Sequence, residues 1–157
     1  MLRKLLLASL LANVVLGFVD DGQLSFRNKT YIIGSKKFSW YKAFTYCAEK
    51  GMHLLNLESI NSNKWLTNYL DVKIHLGDMR DDLVPPYWVS AFCEQKSGRI
   101  RWVTPEVQPS GQEPIACTAQ GKDEQSCILI YNNHAEHTMD KFDVSPCYNL
   151  SSFICEN

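Results

Sequence analysis

Apolar residues recur along this chain in two periods, and the changes between them divide it into elements. Trp40, Ala43, Phe44, Cys47 and Ala48 follow the i, i+3, i+4, i+7, i+8 spacing of a helix with one buried stripe. Ser39 stands where an N-cap belongs and Gly51 where a helix stops. A second helical face is carried by Trp65, Leu66, Tyr69 and Leu70, with Ser59 or Ser62 as cap and an end near Asp71.

Elsewhere the period falls toward two, or the runs are short and wholly apolar. Leu24 to Ile33 alternates loosely and breaks at Gly34-Ser35-Lys36-Lys37, the pattern of a strand or hairpin arm. Met52 to Leu57 reads as a short strand-like link. Tyr87 to Phe92 and Arg99 to Val103 are β-rich and flank Glu94 to Gly98, which predicts a hairpin. Near the end, Cys127-Ile128-Leu129-Ile130-Tyr131 and Phe142 to Cys147 form two cysteine-bearing runs around a polar loop, paired strands that a disulfide can staple, and Phe153 to Glu156 supplies a last strand.

Two stretches have neither period. Lys73 to Pro86, with Asp78, Asp81, Asp82 and Pro85-Pro86, predicts a surface loop. Thr104 to Ser126 is rich in proline and glycine. An irregular stretch of more than about 15 residues in a compact domain is uncommon, and with Cys117 and Cys127 to anchor it the expectation is an ordered, functional loop.

At the N-terminus, Arg3 and Lys4 precede an apolar run from Leu5 to Leu16, which small Gly17 follows before Asp20 and Asp21. This is the layout of a secretory signal peptide over residues 1–17, cleaved after Gly17, and the run is well short of the roughly 20 residues a spanning helix needs. Residues 18–157 then form one domain, with no linker, repeat or low-complexity tract. The 16 basic and 17 acidic residues nearly cancel, so neither nucleic acid nor membrane insertion is expected.

Six cysteines, Cys47, Cys93, Cys117, Cys127, Cys147 and Cys155, all lie beyond the signal segment. An even number in a secreted chain predicts three disulfides, and spacing leaves all 15 pairings open. No C-x-x-C spacing suggests a zinc cage or redox site. Asn28-Lys29-Thr30 and Asn149-Leu150-Ser151 are acceptor sequences for N-glycans.

Taken in order, Trp40-Tyr41-x-Ala43-x-x-x-Cys47, Gly51-Met52-His53-Leu54, Glu58-Ser59, Tyr87-Trp88, Arg101-Trp102-Val103, Cys127-x-x-Ile130 and Phe153-Ile154-Cys155-Glu156 resemble the C-type lectin-like domain, from about Tyr31 to Glu156. The likeness is to the small, secreted, single-domain members, arthropod-like in flavour. It implies an α+β fold of two helices flanking small antiparallel sheets, with a long loop region. It also implies disulfides Cys47 to Cys155 and Cys127 to Cys147 and, with those assigned, Cys93 to Cys117.

Sugar-binding members hold calcium with a Glu-Pro-Asn or Gln-Pro-Asp triplet, a glutamate two residues before a cysteine, and a Trp-Asn-Asp triplet before the next. Against that pattern Glu113-Pro114-Ile115 keeps one ligand and loses one, Gln125 keeps an oxygen and loses a charge, and Phe142-Asp143-Val144 keeps Asp143 alone. The resemblance therefore implies ligand binding through Glu113, Pro114, Gln125 and Asp143, with Glu113 and Asp143 as calcium ligands of a degenerate site, weak or absent because affinity follows ligand charge and number. Asp123, Glu124 and Asp140 are further loop carboxylates, read first as solvated charges.

His134 and His137 lack the i, i+4 spacing of a helical zinc motif, Asp78, Asp81 and Asp82 are read as a plain acidic loop, and Trp40, Trp65, Trp88 and Trp102 as core. No nucleophile and base come together in the pattern, so catalysis is not expected. The function implied is recognition of a glycan or glycoprotein on microbial or other cell surfaces, in a humoral defence or salivary setting. The alternative is calcium-independent binding of a protein partner. With the cysteines matched internally no intermolecular disulfide is required, and the pattern assigns no oligomeric state.

Overall fold

A computed structural model of the chain describes residues 22–26, 28–56, 64–77, 79–103, 116–118, 125–133 and 138–157. It begins with a hairpin, β1 (Gly22–Phe26) and β2 (Lys29–Ile33), whose turn holds Asn28 at φ 67°. Helix α1 (Trp40–Glu49) follows, then β3 (His53–Leu54), helix α2 (Lys64–His75) and a 3-10 turn at Asp81–Leu83. Strands β4 (Tyr87–Glu94), β5 (Arg99–Trp102), β6 (Ser126–Asn133), β7 (Thr138–Pro146) and β8 (Ser152–Glu156) complete the element order.

The strands run β1-β2-β8-β4-β6-β7, with β3 also on β8 and β5 on β4. The antiparallel pairs expected from the sequence are joined by one parallel pair, β4 beside β8, in which Tyr87 faces Ser152 and Trp88 faces Phe153. The fold is α+β, two helices against a mixed sheet. Among the described residues no helix is long and apolar enough to cross a membrane.

Both faces of the central strands are buried, which explains their continuous apolar runs. Trp88, Cys127, Leu129, Phe153 and Cys155 join Trp40, Ala43 and Cys47 of α1 in one core cluster. Tyr87, Val89, Ile128, Ile130 and Ile154 join Leu66 and Leu70 of α2 in the other. Trp40, Trp88 and Trp102 are core, as expected, while the Trp65 side chain lies outside the described residues.

Ser39 caps α1 as predicted, its Oγ accepting from the Lys42 N–H at 3.4 Å, and Gly51 follows the helix at φ 69°. The buried arc of α1 is narrower than predicted. Trp40, Ala43 and Cys47 are buried, but Ala48 is exposed and Phe44 lies on the flank, stacked on Trp40 at 5.2 Å. Helix α2 continues past the predicted end at Asp71 to His75. Ile74, four after Leu70, continues the apolar spacing past Asp71, while Val72 and Leu76 are exposed; the Leu76 N–H to Val72 carbonyl bond and Gly77 at φ 68° define the stop. The predicted surface loop after it also contains the 3-10 turn, which buries Leu83.

Three disulfides close the fold: Cys47–Cys155, Cys93–Cys117 and Cys127–Cys147. These are the pairs the resemblance implied. The first ties α1 to the last strand, the second ties β4 to Cys117 of the long loop, and the third spans the β6–β7 hairpin.

Candidate functional site

The exit of the long loop meets the sheet at Gln125. Its carbonyl accepts from the Cys147 N–H at 3.1 Å, so the residue is fixed beside the Cys127–Cys147 staple while its side chain stays exposed. The Gln125 Oε1 accepts from the Tyr41 hydroxyl. Tyr41 lies in the first turn of α1, off the buried arc and 51% exposed, with its ring edge-on to Trp40. The helix start is itself held to the hairpin by the Trp40 N–H to Cys147 carbonyl bond of 2.9 Å.

Asp143 sits on β7 opposite Leu129, exposed, four ladder positions from Gln125 and on the same sheet face by strand alternation. Its Oδ1 accepts from the Val144 N–H at 2.8 Å. Val144 turns the other way and packs on the α2 core. Burial, and secondarily the Asp143 charge, raises the pKa of Tyr131 on the neighbouring strand. Glu113, Pro114, Ile115, Asp123, Glu124, His134, Glu136, His137 and Asp78 lie outside the described residues, as does the Asp140 side chain.

Calcium takes six to eight oxygen ligands. The two described candidates offer one neutral amide oxygen already engaged by the Tyr41 hydroxyl and one carboxylate with an oxygen accepting from the Val144 N–H. Among the described residues no group of three or more His, Cys, Asp or Glu side chains converges on a point. The described residues alone therefore do not fit calcium. In the acidic loop, Arg80 grips Asp82 through Nε at 3.0 Å and Nη2 at 2.5 Å, and this pairing holds the Asp82 carboxyl below the usual carboxylate range. Asp82 is thus committed to a guanidinium, and Asp81 is exposed beside it.

Asn28 and Asn149 are both exposed. Asn28 stands at a hairpin turn. Asn149 is more constrained: its Nδ2 donates to Ser145 Oγ at 3.0 Å, and Ser151 of the same acceptor sequence is buried with its hydroxyl on the Pro86 carbonyl.

Two features were not anticipated. Phe44 and Tyr41 are exposed on the helix flank, a placement the helical wheel could have suggested for Tyr41. A hollow of ≈ 490 Å³ opens beside Gln125, lined also by Phe92, Glu94, Gln95 and Lys96. It arises from the register of β4 against β6, for which the sequence carries no local signal.

Residues 36–157 match the family model described as the lectin C-type domain. No curated protein matches the chain. Among solved structures, the trimeric Kupffer cell C-type lectin receptor aligns over all of this chain and 96% of its own, with TM-score 0.56 and 16% identity. Human lithostathine aligns over 86% of this chain and 87% of its own, with TM-score 0.53 and 15% identity. A C-type lectin from the tunicate Polyandrocarpa misakiensis aligns over 82% of this chain and 97% of its own, with TM-score 0.51 and 17% identity. Identities this low speak for the fold, and the family-model match, over most of the chain, carries the assignment: the chain belongs to the C-type lectin domain family, a family of recognition modules rather than enzymes.

Proposed function

We propose that this protein is a secreted recognition module that binds glycans on microbial or other cell surfaces, with a calcium site that is weak or absent. The observation that carries this reading is the match of residues 36–157 to a generally carbohydrate-recognising domain. The engagement of Gln125 by Tyr41, in place of a charged metal ligand, supports the weak calcium site. Glu113 and Asp143 remain its proposed ligands, with Pro114 shaping the loop. Secretion after cleavage of residues 1–17 is supported by the closure of all six cysteines into disulfides, which persist in oxidising compartments. N-glycans on Asn28 and Asn149 belong to the same proposal. The arthropod-like flavour rests on sequence alone, and the relatives named above do not add to it.

A second reading is favoured by a specific surface. Tyr41, Phe44, Tyr148 and Leu150 are exposed large apolar side chains, and the Trp40 to Cys147 bond brings the helix start against the turn that carries the last two. Scattered exposed apolar residues are ordinary, but a group of them suits a protein partner. A glycan array with and without chelator separates the readings. Glycan binding supports the first, and the absence of any glycan signal, with a purified partner captured equally in chelator, supports the second.

A further inference from the structure

We propose that the hollow between the β4–β5 turn and the start of β6 is a calcium-independent site for a neutral hexose unit; the proposal rests on the glycan reading above and names a site for it. Its ≈ 490 Å³ lies within the roughly 300–1,000 Å³ typical of small-ligand sites.

The walls are fixed by covalent and hydrogen bonds. In the β4–β6 register Phe92 faces Cys127 and Cys93 faces Ser126, so the next step sets Glu94 beside Gln125. The Gly98 N–H bonds the Glu94 carbonyl at 2.9 Å and the Cys117 N–H bonds the Gly98 carbonyl at 2.8 Å, while Cys93–Cys117 locks the same corner. Arg101 Nε donates to Glu94 Oε2 at 3.1 Å, and the Ser97 hydroxyl donates to the same oxygen. A cavity held this way is formed before a ligand arrives, which lowers the ordering cost of binding.

The lining selects the ligand class. Phe92 offers an apolar ring; Gln95 and Gln125 carry carboxamides, Glu94 an acceptor and Lys96 a donor. Because Tyr41 occupies the Gln125 oxygen, that amide presents its NH2 group as the donor. Among the described lining residues the Glu94 carboxylate is paired with Arg101 and Lys96 adds an ammonium, a mixed set that suits hydroxyls, which both donate and accept. A purely apolar ligand would desolvate polar side chains without replacing their hydrogen bonds. A sugar ring has an apolar C–H face and hydroxyls that both donate and accept, and it matches both halves of the lining without a metal ion.

The test is saturation-transfer NMR on the secreted chain with methyl α-mannoside, lactose and N,N′-diacetylchitobiose, in chelator and in about 10 mM calcium, a concentration that fills extracellular-type calcium sites. The variant is Gln95→Ala with Lys96→Ala, two exposed turn residues, with thermal melting as the folding control. The expected result is transfer to at least one sugar in chelator, with affinity roughly tenfold weaker in the variant at unchanged melting, as the loss of one or two hydrogen bonds predicts. Binding that the variant leaves unchanged, whether or not it needs calcium, overturns the hollow and keeps the glycan reading. Silence from all three sugars in both buffers overturns the hollow, and a blank glycan array would then remove the glycan reading as well.

Discussion

The Asn56 N–H donates to Glu156 Oε1 at 2.9 Å, a bond between residues 100 positions apart that pins the segment after β3 to the last strand. Glu156 is fully buried, and among the described residues its carboxylate is approached at the rim by Lys29 Nζ at 3.7 Å and His53 Nδ1 at 3.8 Å. Removing the carboxylate leaves the Asn56 N–H buried without this acceptor. Glu156→Ala is expected to cost about 2–4 kcal/mol in chemical denaturation, and Glu156→Gln distinctly less because it keeps an acceptor of the same shape. Equal losses in the two variants would show that the charge, rather than the hydrogen bond, matters here.

Gly34 has no room for a side chain. A Cβ there would lie 2.2 Å from two atoms of the Phe153 ring, which is buried and stacked on Phe38 at 5.3 Å with Tyr46 edge-on at 5.2 Å. The ring cannot move away, and the Gly34 N–H to Phe153 carbonyl bond of 2.9 Å keeps the backbones together. Gly34→Ala should destabilise by about 3 kcal/mol, the upper range for overpacking. A melting temperature equal to wild type would mean that the ring has another place to go.

The three disulfides close loops of different length, with sequence separations of 108, 24 and 20. In the chain-entropy account, stabilisation grows with the logarithm of loop length, which makes Cys47–Cys155 worth about 1.3 to 1.5 kcal/mol more than the others. Paired cysteine-to-alanine variants, compared by denaturant midpoint and slope, should show that order. A Cys93/Cys117 double variant that loses the most would mean that this bridge acts on the native state, by ordering the long loop.

Tyr87 gives the fold a sensitivity to alkali. Its phenol is fully buried, its hydroxyl donates to the Leu83 carbonyl, and burial pushes its pKa well above the ordinary value of 10.0. Below that value the phenol is protonated in both states and stability is unaffected. Above it the unfolded chain releases the proton and the folded chain does not, so stability falls as pH rises toward the folded pKa. Denaturation followed from pH 9 to 12 should show this decline, and Tyr87→Phe should flatten it while costing about 1 kcal/mol at neutral pH for the lost hydrogen bond. An unchanged slope in the variant would assign the alkaline loss to other groups.

What the sequence made legible is what local chemistry controls. Ser39 and Gly51 bound α1 because a cap and a left-handed stop act within a turn, and β4, β6 and β8 stand out because double burial leaves continuous apolar runs. The end of α2 was read too early at Asp71, although Ile74 keeps the i+4 spacing from Leu70 and Gly77 supplies a left-handed stop. The disulfide pairs needed the family resemblance, since spacing permits fifteen arrangements. The Tyr41 to Gln125 bond crosses 84 positions and the hollow depends on strand register, so neither has a local pattern to read.

That same Tyr41 to Gln125 bond governs the calcium prediction. A ligand that binds only the folded state stabilises it by RT ln(1 + [L]/Kd). At about 10 mM calcium, a site of about 1 mM affinity would add about 1.4 kcal/mol, and one no tighter than about 10 mM would add about 0.4 kcal/mol or less. Wild type should fall in the second class, because the Gln125 oxygen is neutral and bound and Asp143 spends an oxygen on the Val144 N–H. Gln125→Glu combined with Tyr41→Phe restores a charge and releases that oxygen, so the double variant should gain more from calcium than wild type in paired calorimetric and melting titrations. Saturable wild-type binding at millimolar affinity or tighter, abolished by Glu113→Ala or Asp143→Ala, would mean instead that the long loop rebuilds a full shell around the ion. Sugar recognition would then be sought there first.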